Sequence, residues 1–275
     1  MTRAVLAIVI GISVLAPRPA FADEHDFELP KSSYWWDGGA VPFLYLPLAL
    51  NIANRSMSEP PPTPMMFSPM EGGKTYNGGQ YPTTMLYVDA AAAGALILAG
   101  GDKSRWHHFK GFAQGLAMTS LLTGVAKSTF GRHRPMYDLG TPMEDQPSDV
   151  RKSFFSGHSS MTLATATYLG LYARQHIFSR WRGDRVLPWW EGAAYLTLAA
   201  AAIAVPYSQY ALNRHHASDV ITGSLVGAGM STLFYIYQER RYRKDKRASE
   251  TAPEPFQFSI VPSGEFKGVT VSGSF

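Results

Sequence analysis

The sequence predicts an all-α fold, a bundle of about six helices with its functional residues gathered at one end and a β-hairpin appended at the C terminus. Three observations predict it. Five helix-length segments, 84–100, 108–130, 159–177, 189–207 and 217–241, are rich in Ala, Leu, Gly and Thr and carry few charges, so each should be buried against neighbours. Short polar islands fall where those segments start or stop. Nothing in the middle of the 275 residues reads as an interdomain linker, so a single helical domain is expected over 23–249.

Residues 1–22 open with Arg3, continue with the apolar run Ala4 to Leu15, and close with Ala20-Phe21-Ala22 just before Asp23-Glu24. That is the layout of a secretory signal peptide. The run is too short to span a bilayer, and Pro17 and Pro19 interrupt the chain just beyond it, which argues against a retained anchor. Residues 23–39 are polar around Tyr34-Trp35-Trp36, a cluster expected to pack on the domain. Residues 41–54 are apolar but contain Pro42 and Pro47, so a short or kinked helix is expected there. Residues 56–82 hold Pro60-Pro61-Pro62, Gly72-Gly73 and Gly78-Gly79, the composition of a long irregular loop. The five helical segments come next. In the tail, 250–275, alternation on either side of Pro262-Ser263-Gly264 predicts the β-hairpin, read as a packing or docking element.

Charge and cysteine content narrow the function classes. Removal of residues 1–22 takes away Arg3 and Arg18 and leaves 23 cations against 21 acids, a net +2 that gives no support to a nucleic-acid partner. With no cysteine there is no disulfide framework and no thiolate metal site. The signal peptide and a mean hydropathy of −0.10 point to a periplasmic domain associated with the membrane. An integral form is the alternative. Several segments approach spanning length, and Lys103, Arg105, Lys110, Arg174, Arg180, Arg182, Arg185 and the basic run from Arg240 to Arg247 collect at one end, as on a cytoplasmic face.

The chemistry sits in three islands. The first is Lys127-Ser-Thr-Phe-Gly131-Arg132-His133-Arg134-Pro135, the second Phe155-Ser156-Gly157-His158-Ser159-Ser160, and the third runs from Ser208-Gln209 to Arg214-His215-His216-Ala217-Ser218-Asp219. The segment 108–130 ends at the first, 159–177 begins at the second, 189–207 ends at the third and 217–241 begins there. In an up-and-down bundle all three then meet at one end. Lys127 offers a point charge and Arg134 a planar fork suited to two oxygens at once. Ser156, Gly157 and His158 open a helix whose free N–H groups favour an anion. His215 and Asp219 are four residues apart at a helix start, so the carboxylate can hold one ring nitrogen and leave the other free. His133 and His216 neighbour these residues. His107 and His108, among cations at the opposite end, are expected to be solvated, and Glu191 and Asp89 to be capping or paired.

The order and spacing of these islands resemble the type 2 phosphatidic acid phosphatase and vanadium haloperoxidase superfamily. Its pattern is a Lys, six residues and Arg-Pro; then Pro-Ser-Gly-His; then Ser-Arg, five residues, His, three residues and Asp. Lys127, Arg134 and Pro135 match the first part, Ser156, Gly157 and His158 the second, and Ser208, His215 and Asp219 the third. The resemblance implies an anion cradle of Lys127, Arg134, Ser156 and Gly157. It implies His215 as the nucleophile of a phosphohistidine, Asp219 as its orienting group, and His158 as the acid that protonates the leaving oxygen and then activates water. No metal or other cofactor is implied.

Two positions depart from the pattern. Gln209 stands where the family has arginine, which keeps a hydrogen-bond donor on the phosphate but removes a charge; Arg132 and Arg214 are candidates to supply it. Phe155 replaces the proline and offers an aromatic wall. The expectation is an exported phosphatase acting on phosphate monoesters, including lipid phosphates or pyrophosphates. The alternatives are a haloperoxidase holding vanadate in the same cradle, and a non-catalytic envelope protein in which Gln209 marks lost activity.

Overall fold

A computed structural model describes residues 39–57, 83–100, 104–138, 150–182, 187–250, 257–262 and 267–272. The signal peptide, the Tyr34-Trp35-Trp36 cluster and residues 58–82 of the expected loop lie outside them. Among the described residues, six helices of more than one turn make the bundle. Helix α1 (Leu46–Met57) is led in by a π-helical turn (Val41–Tyr45), with Pro42 at the start of that turn, where a missing N–H costs nothing, and Pro47 just after the change from π to α winding. Then come α2 (Thr83–Ala99), α3 (Arg105–Phe130), α4 (Gly157–Tyr172), α5 (Trp189–Ala211) and α6 (Ala217–Glu250). Helix α4 runs on through a second π-helical turn (Ala173–Phe178) into Ser179–Arg182.

The helices lie where the periodicity places them, and the ends differ for local reasons. Helix α3 stops at Gly131, whose φ of 57° is a left-handed C-cap that a side chain would strain. Helix α4 starts two residues early because the Ser156 hydroxyl caps it, accepting from the Ser159 N–H at 3.3 Å. Helix α5 tolerates Pro206 and continues to Ala211, so Ser208 and Gln209 lie in its last turn instead of beyond it. The basic run from Arg240 to Arg247 extends α6 as helix.

Helix α4 is the centre, packed on α6, α3, α5 and α2. Its contact with α6 is made on small residues: a Cβ on Gly223 would come within 2.6 Å of the Ser156 carbonyl oxygen, and one on Gly227 would overlap the Ser160 carbonyl. Ser231 Oγ donates to the Ala164 carbonyl across the same seam at 2.7 Å. Apolar packing fills both sides. One cluster joins Ile97, Phe112, Tyr168, Tyr172 and Phe234, and a second joins Leu163, Ala166, Ala199, Ala202 and Ala228.

One expectation is corrected. His107 and His108 are buried, not solvated: each imidazole meets a carboxylate of α6, His107 with Asp245 at 2.9 Å and His108 with Glu239 at 3.1 Å. Phe155 is buried, with its ring edge against Gly223 of α6. In the tail, strands β1 (Gln257–Pro262) and β2 (Lys267–Ser272) run antiparallel with Gln257 opposite Ser272. The connecting residues 263–266, which include most of the expected turn, lie outside the described residues, and the docking role stays a proposal.

Candidate active site

Main-chain hydrogen bonds stitch the three islands together. Ser153 N–H donates to the Arg132 carbonyl at 3.0 Å, Met136 N–H to the Asn213 carbonyl at 3.0 Å, and Ser156 N–H to the Asp219 carbonyl at 3.1 Å. The extended segment after α3, the approach to α4 and the start of α6 are therefore held at fixed spacing. His216 adds a side-chain link, its Nε2 donating to the His133 carbonyl at 3.1 Å.

His215 is buried at the centre of this arrangement. Its Nδ1 lies 2.8 Å from the Ser153 main-chain oxygen. A carbonyl only accepts, so Nδ1 carries the ring proton and Nε2 holds the lone pair. Asp219 Oδ2 stands 3.7 Å from the same Nδ1, near enough to attract charge that develops on the ring but too far for a good hydrogen bond. The direct carboxylate bond expected from the four-residue spacing is thus replaced by one to the main chain. Burial pushes the His215 pKa down to about 3; Arg134 and Lys127 push it the same way, and Asp219 pulls against them. The imidazole is neutral at physiological pH.

Asp219 is fully buried and satisfied on both oxygens. Oδ1 accepts from Arg132 Nη1 at 2.6 Å; Oδ2 accepts from Ser153 Oγ at 2.5 Å and from the His216 N–H at 3.1 Å. Arg132 also donates to Ser218 Oγ at 2.7 Å. Its guanidinium is thereby tied to the Asp219 carboxylate and to the start of α6.

The residues named for the cradle lie near this pair. Arg134 is buried, and its charge, like that of Lys127, is felt at His215. Lys127 Nζ lies 3.8 Å from where a Cβ on Gly157 would sit, which brings the amine to the start of α4. The Ser156 hydroxyl is buried as the cap, accepting a second bond from Ser159 Oγ at 2.9 Å. Gln209 is buried with both amide atoms lacking a hydrogen-bond partner among the described residues, while its main-chain carbonyl accepts from the Arg214 and His215 N–H groups at 3.1 and 3.2 Å. An unpaired amide in a buried site costs about 1–3 kcal/mol until something fills it. His158 is partly exposed on the first turn of α4, its Nε2 3.4 Å from Thr83 Oγ1 at the head of α2.

Ser153 is the participant that the spacing missed. It lies outside all three islands, and its contribution through a main-chain oxygen leaves no mark in a residue pattern.

Beside the His158 end, a cavity of about 590 Å³ opens between α2, α4 and α5, lined by Leu86, Leu96, Met161, Leu169, Leu198 and Val205 among others. Leu86 is one turn from Thr83, Met161 one turn from His158, and Ser208, next to Gln209, is on the wall.

A model of the PAP2 superfamily matches residues 110–243, a range that includes all three islands. Among curated relatives, "Phospholipid phosphatase 2" of Rattus norvegicus is 31% identical over 147 residues, 46% of this chain and 51% of that protein. The Homo sapiens protein of the same name is 31% identical over 146 residues, 46% of this chain and 49% of its own. A "Putative phosphatidate phosphatase" of Drosophila melanogaster is 28% identical over 162 residues, 48% of this chain and 41% of its own. The chain spans about half the length of the curated relatives it matches. No solved structure matches it significantly.

Proposed function

Residues 110–243 belong to the PAP2 superfamily, and from that premise we propose that the chain is a lipid phosphate phosphatase that works through a phosphohistidine at His215. The observation that carries the reading is the Nδ1–H of His215 held by the Ser153 carbonyl, which leaves Nε2 as a neutral nucleophile beside Arg134 and Lys127. Nε2 attacks phosphorus and the P–O ester bond breaks. His158 gives its proton to the leaving alkoxide. As the P–N bond forms, the ring becomes cationic, and Asp219 stabilises it across 3.7 Å. Lys127, Arg134, the amides at the start of α4 and the Gln209 amide hold the equatorial oxygens. Water, deprotonated by His158, then attacks phosphorus, the P–N bond breaks, and inorganic phosphate leaves His215 as it began.

The apolar cavity supports a lipid over a small polar ester, because a chain of methylenes gains about 0.8 kcal/mol per CH₂ buried there. A membrane setting fits the surface. Val88 and Leu96 of α2, Leu196 of α5 and Leu225, Leu233 and Ile236 of α6 are all exposed, large apolar side chains on three helices. Helix α6 alone is long and apolar enough, over Ala217–Ala248, to cross a bilayer among the described residues. With the expected signal peptide at 1–22, the site faces the periplasm in this proposal.

Phosphate release from phosphatidate in mixed micelles tests the reading. The purified chain should turn over, and His215→Asn should lose activity by about 10³-fold or more. Brief acid-labile, alkali-stable labelling from the substrate should appear in the parent chain alone. An inactive parent, or equal activity in the variant, would overturn it.

A further inference from the structure

At the end of the bundle opposite the phosphate site, ligand-type side chains from three helices converge in the interior. His108 lies in the first turn of α3, His176 in the π-helical turn that continues α4, and Glu239 on α6, and their donor atoms all fall within 4.8 Å of one another. Glu239 Oε2 is 3.1 Å from His108 Nε2 and 3.0 Å from His176 Nε2. A tetrahedral zinc site with bonds of about 2.0–2.1 Å has ligand–ligand edges of about 3.3 Å, so two edges are already near length.

The surroundings fit an ion as well. A metal-bound imidazole holds its other N–H on a polar group. Here His108 Nδ1 faces Tyr168 Oη at 3.2 Å and His176 Nδ1 faces Ser104 Oγ at 3.0 Å. The second carboxylate oxygen, Oε1, is bound by Arg243 Nε at 2.7 Å and Gln175 Nε2 at 3.2 Å, which aims Oε2 at the imidazoles. Tyr235 stacks on His108 and Tyr172 on His176, with centroids 4.9 and 5.0 Å apart, so neither ring is loose. The π-turn supplies the remaining piece: single π-helical turns are rare and collect at functional sites, and this one presents Gln175 and His176 together to Glu239.

We propose that His108 Nε2, His176 Nε2 and Glu239 Oε2 form a structural site for one divalent ion of the zinc class, tying α3, α4 and α6 together away from the phosphate chemistry. Two imidazoles and one carboxylate suit that class, and water completes the coordination. Both rings stay neutral when the ion enters. Each proton moves from Nε2 to Nδ1, where Tyr168 Oη and Ser104 Oγ accept it. Without an ion the same atoms close as a hydrogen-bonded network with two N–H groups on Oε2.

Cobalt separates the two. The full chain, stripped with chelator and titrated with Co²⁺, should take up one ion per chain with the visible absorption of a four- or five-coordinate site, displaced by Zn²⁺, and Zn²⁺ should raise the melting temperature. His176→Asn and Glu239→Gln should each weaken Co²⁺ binding by about tenfold or more, with helix content kept and phosphate release within about twofold of the parent, since the sites are distant. No saturable absorption, or absorption unchanged in both variants, overturns the proposal. Should neither variant fold, X-ray absorption of the zinc-loaded parent decides: two imidazoles in the coordination shell support the site, and a shell lacking them overturns it.

Discussion

The Nδ1 of His215 is 2.8 Å from the Ser153 carbonyl oxygen, closer than the 3.7 Å that separates it from Asp219 Oδ2. Because the main chain fixes the tautomer, Asp219→Asn keeps the lone pair on Nε2. Where a carboxylate alone sets the tautomer, the equivalent change costs about 10⁴-fold in kcat; about 10²-fold is expected here, from weaker support of the cationic ring. Kinetics of Asp219→Asn beside His215→Asn measure this. Equal losses in the two would contradict the assignment of the tautomer to Ser153.

Arg132 and Asp219 form a pair buried on both sides at 2.6 Å. Removing one partner strands a charge in the interior at a cost of about 3–5 kcal/mol. Arg132→Met should therefore unfold well below the parent in denaturant. The double variant Arg132→Met, Asp219→Asn should regain part of the loss, and strictly additive losses would mean the pair is not coupled.

The acid side of the stability curve carries the signature of His215. Its folded pKa of about 3 lies below the value of about 6.5 in an unfolded chain, so the unfolded state binds more protons between the two. Stability from this group is complete above about pH 6.5 and drains away as pH falls toward 3, at up to about 1.4 kcal/mol per pH unit. Melting temperature against pH, compared with His215→Gln, should show a shallower acid slope in the variant. Parallel slopes would indicate that the imidazole is not buried neutral.

Gln209 carries a buried amide with no hydrogen-bond partner among the described residues, and the proposed mechanism gives it an anion to hold. Replacing its unpartnered amide with Leu should stabilise the ligand-free chain by about 1–3 kcal/mol and weaken inhibition by inorganic phosphate. Gln209→Arg should act in reverse on binding, tightening vanadate or phosphate inhibition by about tenfold or more through a charge-assisted bond. Inhibition constants untouched by both changes would remove Gln209 from the cradle.

The seam between α4 and α6 has no room for a methyl group at Gly227, where a Cβ would overlap the Ser160 carbonyl. Gly227→Ala should cost about 1–3 kcal/mol by overpacking. Gly229, with open space around its Cβ position, is the control and should be stabilised or unchanged by alanine in the same helix.

The bundle was legible because its signals are local and repeated. Sparsely charged helix-length segments and the islands between them locate α2 to α6 to within a few residues, apart from the α6 extension, and the prolines place the broken start of α1. The meeting of His215, Asp219, Arg134 and Lys127 comes from the same reading, since helix ends of a bundle share a face. What escaped it is long-range and depends on the partner. The burial of His107 and His108 is set by Asp245 and Glu239, more than a hundred residues away, and neighbouring cations in the sequence pointed toward solvent. Arg132 reads as a candidate cation in the sequence, and its bond to Asp219 does not show there. Ser153 works through a carbonyl that every residue owns.

The glycine seam reaches beyond stability. Ser156 and Asp219 stand on opposite sides of it, joined by a 3.1 Å main-chain bond and flanked by Gly223, so neither helix can slide without breaking the contact. On the proposed reading, the amides that open α4 and the carboxylate that faces His215 are therefore held at one spacing before any anion arrives.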